Sequence, residues 1–344
     1  MNSPIFIIGS HKSGTTLMRG LLDGVPGVFS IPIETHIFEH TGQWVDYELR
    51  RSISRRMSFE QVLEQIQKSI EKSNLKPGRF TQFGGDSLFG YQWNLPALLG
   101  YLEENGRKTF ENNDYKGFIT AYFKSLYLSL FSELPPESLR YVEKSVENAE
   151  FAGFLKNIFP DARFIHVIRN PYATVVSIRK YMTMRGKYPF LGWIINALEN
   201  NYYHSILNPK FISDYLIVKY EDLILNTKSK MREVAKFLDL SFHESMLTPT
   251  VLGKLWPGNS VSGELFRGVS STPVSSWRNQ IKPLEIALIN SNLRHVLDTY
   301  NYDKLDLKIT PFLPAKKEGV RNYFANRFFL LVSNKRRKGD TPFQ

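Results

Sequence analysis

The sequence has 344 residues, 42% of them hydrophobic and 14% aromatic, with 44 basic against 33 acidic side chains and no cysteine. Such a chain forms one large domain or two and is too apolar for a disordered protein; the missing cysteine excludes disulfides and thiolate metal sites, and no apolar run approaches the ~20 residues of a membrane-spanning helix. The formal charge of +11 raises nucleic acid as a partner, but more than half of the surplus lies between Lys316 and Asp340 and no recognition motif accompanies it, so no nucleic-acid partner is expected.

The chain opens "MNSPIFIIGSHKSGTTLMRGLLD". The opening lacks a charged n-region and passes straight into an apolar strand, Ile5–Ile8, so no signal peptide and a cytoplasmic location are expected. A Gly-Ser-His-Lys-Ser-Gly-Thr-Thr loop follows, and then an amphipathic helix. A strand, a glycine-bearing loop and a helix start aim backbone N–H groups and the positive end of the helix at one point, which suits an anion. Gly9 and Gly14 have the spacing of the nucleotide loop G-x-x-x-x-G-K-[ST], but Thr15 stands where that loop carries its lysine, and Lys12 lies inside the loop instead.

Further along, "IPIETHIFEH" places His36 and His40 in an H-x-x-E-H pattern. That pattern occurs in zinc proteases, but a phosphate loop lies just upstream and no metal is expected. Residues 41–135 are aromatic and largely helical in pattern, with Gly84, Gly85 and Gly90 marking loops, and are expected to form a helical insertion that caps an acceptor pocket. Short apolar strands are expected at Leu139–Glu143, Arg163–Ile168 and Tyr215–Lys219, with helical patterns between them. "NPYATVVSIRKY" starts a helix with Pro171 in its first turn. "NTKSKMREVAKFLDL" is amphipathic, with Met231, Val234, Ala235 and Leu238 on one face. Residues 252–276, rich in glycine and serine, read as a long loop acting as a lid over the nucleotide. The tail, 316–344, joins an apolar run to a basic cluster; it is expected either to lie weakly on an anionic membrane surface or to pack as a last helix with a solvated basic end. The whole is an α/β chain: one three-layer, P-loop-type domain over 1–344, with a central parallel sheet flanked by helices.

Two segments together carry a family resemblance. "GSHKSGTT" resembles the 5′-phosphosulfate loop of sulfotransferases that use 3′-phosphoadenosine 5′-phosphosulfate. "RFIHVIRNPYATVVSI" is similar to their 3′-phosphate motif, with Arg169 leaving the strand and Ser177 eight residues later. "VKYEDL" and "FRGVSSTPVSSWRNQI" look like further nucleotide-contacting pieces, bringing in Tyr220, Arg267, Gly268 and Trp277. The likeness spans 4–35 and 139–300. "TTLMR" followed by Glu34-Thr35 is closest to the tyrosylprotein sulfotransferase branch, which has arginine where Lys12 stands.

The resemblance implies that His11, Lys12, Ser13, Gly14, Thr15 and Thr16 hold the 5′-phosphosulfate, and that Arg169, Ser177, Tyr220, Arg267, Gly268 and Ser275 hold the rest of the donor. An arginine fork suits a phosphate. Lys12 and Lys144 would meet charge on the departing oxygen, Ser275 would donate to it, and Glu34, or alternatively His36, would take the acceptor's proton. The implied activity is transfer of sulfonate to a hydroxyl, or with less support an amine, leaving adenosine 3′,5′-bisphosphate, without a metal. The acceptor's class stays open between a small molecule, a sugar, a lipid and a peptide. A P-loop kinase and a non-catalytic nucleotide-binding protein are the alternatives.

Overall fold

The computed structural model describes residues 3–47, 51–74, 91–186, 188–258, 268–307 and 318–336. Five parallel strands form its sheet: β1 (Ile5–Gly9), β2 (Val28–Ser30), β5 (Arg140–Lys144), β6 (Arg163–Ile168) and β7 (Tyr215–Lys219). Their order is β2-β5-β1-β6-β7, and the intervening β3 (Gln43–Asp46) and β4 (Arg51–Ser54) make a separate antiparallel hairpin. From β1 the chain moves to β2 and β5 on one side, then crosses to β6 and β7 on the other. That reversal opens a crevice beyond the C-terminal ends of the central strands, where open α/β sheets take ligands.

The expected α/β architecture with a central parallel sheet is the one found. Strand β1 is buried along its whole length, as a sheet covered on both faces requires. Its side chains alternate between two cores. Phe6 and Ile8 join Phe29, Phe164 and the helices Phe59–Asn74, Leu95–Glu111 and Tyr115–Phe131. Ile5 and Ile7 join Val142, Ile165 and Val167 under the helices Thr15–Leu22 and Thr227–Phe237, the latter through Met231, Val234 and Ala235.

Two differences from the sequence reading have physical reasons. β2 was not expected, because three residues between Gly27 and Pro32 show no periodicity. β5 lies one residue further on than expected, so that Lys144 ends the strand with a side chain only 1% exposed. A buried lysine at a strand's end runs against the usual preference for solvent and demands a partner.

The described helices of the stretch expected to cap an acceptor pocket are a packed layer on one sheet face. Asn94 and Asp114 cap two of them, accepting from the N–H groups of Ala97 at 3.2 Å and Gly117 at 2.9 Å. A third core gathers the helices Pro171–Met184, Leu191–Leu207 and Pro283–Asn292 around Trp277. Residues 75–90 with their three glycines, residues 259–267 of the expected lid and both ends of the tail lie outside the described residues.

Candidate active site

The crevice begins at the loop after β1. Gly9 and Gly14 have φ of 148° and 105°. A β-carbon on Gly14 would lie 2.3 Å from Cδ2 of Tyr220, and one on Gly9 would lie 2.4 Å from the Val167 carbonyl oxygen, so the loop closes only with glycine at both places. Ser13 N–H donates to the Ser10 carbonyl at 3.1 Å, tightening the turn. His11, Lys12, Gly14, Thr15 and Thr16 line the crevice, while Ser13 is buried behind it.

Arg169 ties the far elements together. It leaves the end of β6, and Asn170 behind it caps the next helix by accepting from Tyr172 N–H at 3.0 Å. Its Nη1 donates to the Lys12 carbonyl at 3.0 Å and to Ser177 Oγ at 3.4 Å, and its Nη2 donates to the Pro273 carbonyl at 2.8 Å. The guanidinium sits 4.5 Å from the centre of the Tyr220 ring, a cation–π contact. Its carbonyl accepts from Tyr202 Oη. Strand end, helix, phosphate loop, Tyr220 and the segment around Pro273 thus converge on one side chain.

A phosphorylated nucleotide fits these residues on two observations. Arg169, on the crevice wall, has a buried Nε without a hydrogen-bond partner among the described residues, and buried donors of that kind are satisfied in nearly all native proteins. The crevice also presents the start of the helix Thr15–Leu22 with two threonine hydroxyls beside it.

The other end of the crevice holds a chain of charges. Lys144 Nζ donates to Glu34 Oε1 within the protein interior, the two side chains being 1% and 7% exposed. Glu34 Oε2 lies 3.6 Å from His36 Nε2, and His36 Nδ1 lies 2.8 Å from Glu147 Oε1. Burial alone would raise the Glu34 carboxyl, but the Lys144 ammonium, then His36, outweigh it and hold it at about 2. For His36 burial opposes charge, yet the Glu147 hydrogen bond and the flanking carboxylates bring it up to about 9. Burial lowers Lys144, with Glu34 opposing. Lys12 is brought down to about 8 by burial and by the Lys144 charge; its ammonium stands 4.5 Å from the Tyr181 ring centre.

The Glu34 segment is set by the helix after the loop: Arg19, fully buried in "TTLMR", donates to the Pro32 carbonyl. Glu143 locks the next residues, accepting from Thr35 Oγ1 at 2.8 Å, Ser145 Oγ at 2.5 Å and Asn148 Nδ2 at 2.5 Å. Glu34, His36 and Glu147 bring ligand atoms within 4.8 Å of one another. A cation there would compete with the Lys144 ammonium already on Glu34 and with the proton that His36 holds to about 9.

Of the residues expected in the site, Glu34, Lys144, Arg169, Ser177, Tyr220 and Gly268 line the crevice with the loop. Ser275 does not, and its neighbour Ser276 lines the wall instead, although both serines are exposed. Arg267 lies outside the described residues. The sequence reading missed Glu143 and Glu147, though both flank Lys144 in "VEKSVEN". It also missed Lys180 and Tyr181, which follow Ser177 by three and four positions and so share its helix face.

The stability of this cluster should depend on pH. His36 is raised above its free value, so its pairing contributes fully below about 6.5 and is lost as pH climbs through about 9. Resistance to urea should therefore fall between pH 7 and pH 9.5, and Glu147→Gln should flatten that slope. An unchanged slope in the variant would show that His36 is not held protonated by Glu147.

The crevice thus lies at the parallel sheet's reversal, with a lysine inside the loop after β1 and an arginine–serine pair at the neighbouring strand. Residues 4–244 match the model of the Sulfotransferase family, and the chain belongs to that family. It is 25% identical over 252 residues to Protein-tyrosine sulfotransferase A of Caenorhabditis elegans, covering 71% of this chain and 51% of that protein; the chain thus spans about half of its curated relative's length. Among solved structures, the sulfotransferase domain of the Synechococcus PCC 7002 olefin synthase superposes with a TM-score of 0.50 at 20% identity, covering 88% of this chain and 97% of that one. That likeness concerns the fold.

Proposed function

We propose that this sulfotransferase moves a sulfonate group from 3′-phosphoadenosine 5′-phosphosulfate to a hydroxyl of its acceptor by in-line displacement. The observation that carries the reading is the convergence on Arg169 of the phosphate loop, Ser177, Tyr220 and the Pro273 segment, with the Lys144–Glu34 pair at the opposite end of the same crevice. Arg169 and Ser177 would hold the 3′-phosphate, and the loop N–H groups with Thr15 and Thr16 the 5′-phosphate. When bound, the donor supplies a sulfonate on a phosphosulfate linkage, whose bridging S–O bond breaks as the acceptor oxygen bonds to sulfur.

Lys12 and Lys144 are placed to meet the negative charge that collects on the departing oxygen and the sulfonate. Glu34 is the proton acceptor in this reading, although its pairing with Lys144 makes it a weak base at rest. As Lys144 shifts towards the sulfonate, Glu34 loses the charge that holds its carboxyl down, and burial then raises its basicity. Proton removal is thereby coupled to charge stabilisation. Protonated His36 stays beside Glu34 as an electrostatic partner.

The test is transfer of radiolabelled sulfonate from the donor to a panel of phenols, sugars, lipids and tyrosine peptides. Labelled product from one class, lost in Glu34→Ala, is the result expected. Tight donor binding with no transfer to any acceptor, unaffected by Glu34→Ala, would instead identify a non-catalytic nucleotide-binding protein.

A further inference from the structure

The last described helix, Val320–Arg336, carries apolar side chains on both of its faces and amides on the inner one. Its inward face carries Asn326, fully buried, and Ser333, 6% exposed. Asn326 Oδ1 accepts from Leu191 N–H at 2.6 Å, and its Nδ2 donates to Glu318 Oε1 at 3.0 Å; Asn322 Nδ2 donates to the Tyr188 carbonyl at 2.6 Å. Leu330 completes that face, and Phe329 packs edge-on against Phe190. The helix is therefore fastened to the domain by amide hydrogen bonds. Its outward face carries Val320, Phe324, Phe328 and Leu331, which are 75%, 64%, 68% and 63% exposed.

Spacings of four, four and three residues put those four side chains in one stripe along the helix. Large apolar residues exposed singly are ordinary, but a continuous stripe of them marks a surface that something covers. Charge says what covers it. Arg321 stands exposed beside the stripe; the sequence carries Lys316-Lys317 just before the helix and Lys335-Arg336-Arg337-Lys338 at its end. The nearby acid Glu318 is taken up by Arg327 at 3.2 Å. A second copy of the chain seated on the stripe would bring two such basic segments together. An anionic lipid surface satisfies both the stripe and the charge.

We infer that the helix Val320–Arg336 docks this protein on anionic membranes, with Phe324, Phe328 and Leu331 inserted at the headgroup boundary, Arg321 on the lipid phosphates, and the basic sequence before and after the helix adding to the attraction. No helix among the described residues is long and apolar enough to cross a membrane, so this is contact in the plane of the surface. The inference does not depend on the donor or the acceptor.

The test is flotation of the full chain with vesicles of phosphatidylcholine alone, or with about a third of phosphatidylserine. Partition should be roughly tenfold or more stronger on the anionic vesicles, should fall as salt rises, and should drop at least about tenfold in the Phe324→Glu, Phe328→Glu double variant. Both substitutions are at exposed positions, and an unchanged circular-dichroism spectrum and urea midpoint of the variant verify that it is folded. Equal partition of wild type and variant would overturn the inference, as would no binding to anionic vesicles. A dimer seen by light scattering and dispersed by the same substitutions would overturn it in favour of a second copy as the occupant.

Discussion

Lys144→Met should reduce sulfonate transfer by at least ~10²-fold, the scale on which a positioned charge-stabilising donor acts, and at neutral pH it should also weaken the fold. Lys144 and Glu34 are buried against each other, so removing the ammonium leaves the interior carboxylate stranded with only the more distant His36 as a cation, at a cost of up to about 3–5 kcal/mol. The sign of the pH dependence then changes. In the wild type, Glu34 is held at about 2, so its pairing contributes above the ordinary glutamate value and is lost only as pH falls through about 2. In the variant, burial without Lys144 raises the Glu34 pKa, and the native state gains by taking up a proton. Urea unfolding should show Lys144→Met much weaker than wild type at pH 7.5 and distinctly closer to it at pH 5. Equal deficits at both pH values would mean that the Glu34 carboxyl is not the stranded group.

Arg169→Ala should cost the 3′-phosphate, and little else of the ligand. Charge-assisted hydrogen bonds of the guanidinium contribute roughly 1.5–3 kcal/mol, so affinity for adenosine 3′,5′-bisphosphate should fall about 10²-fold. Adenosine 5′-phosphate, which lacks the group that Arg169 is assigned, should bind the variant and the wild type within a fewfold of each other. Arg169→Lys keeps the charge but not the planar fork that reaches Lys12, Ser177 and Pro273 together, and should fall between the two. A uniform loss for both nucleotides would show that Arg169 only braces the loop against Tyr220 and Pro273.

Much of this was legible in the sequence because its signals are local. β1, β6 and β7 are short apolar runs bounded by polar residues, and they fall within one residue of where periodicity puts them. The phosphate loop and the Arg169–Ser177 pair are each contained in one strand–turn–helix unit. What escaped depends on distance along the chain. Lys144 meets Glu34 across 110 residues and Glu147 meets His36 across 111, and nothing in either segment announces the other. The shifted end of β5 has the same origin: lysine reads as a strand boundary until its buried partner is known. The choice between Ser275 and Ser276 was beyond pattern, because a helix of only four residues, Thr272–Ser275, has no periodicity to say which serine borders the crevice. The outward stripe of the last helix was hidden too, since phenylalanines occur on both of its faces and it is the amide hydrogen bonds of Asn326 that set which face is turned in.

On the proposed function, the crevice takes a nucleotide carrying phosphates at both the 3′ and 5′ positions. Calorimetric titration of the wild-type protein with adenosine 3′,5′-bisphosphate, adenosine 5′-phosphate and ATP with magnesium tests it most directly. The bisphosphate should bind about 10²-fold more tightly than the monophosphate, the margin assigned to Arg169, and more tightly than ATP. Tighter binding of ATP with magnesium, or no gain from the 3′-phosphate, would contradict it.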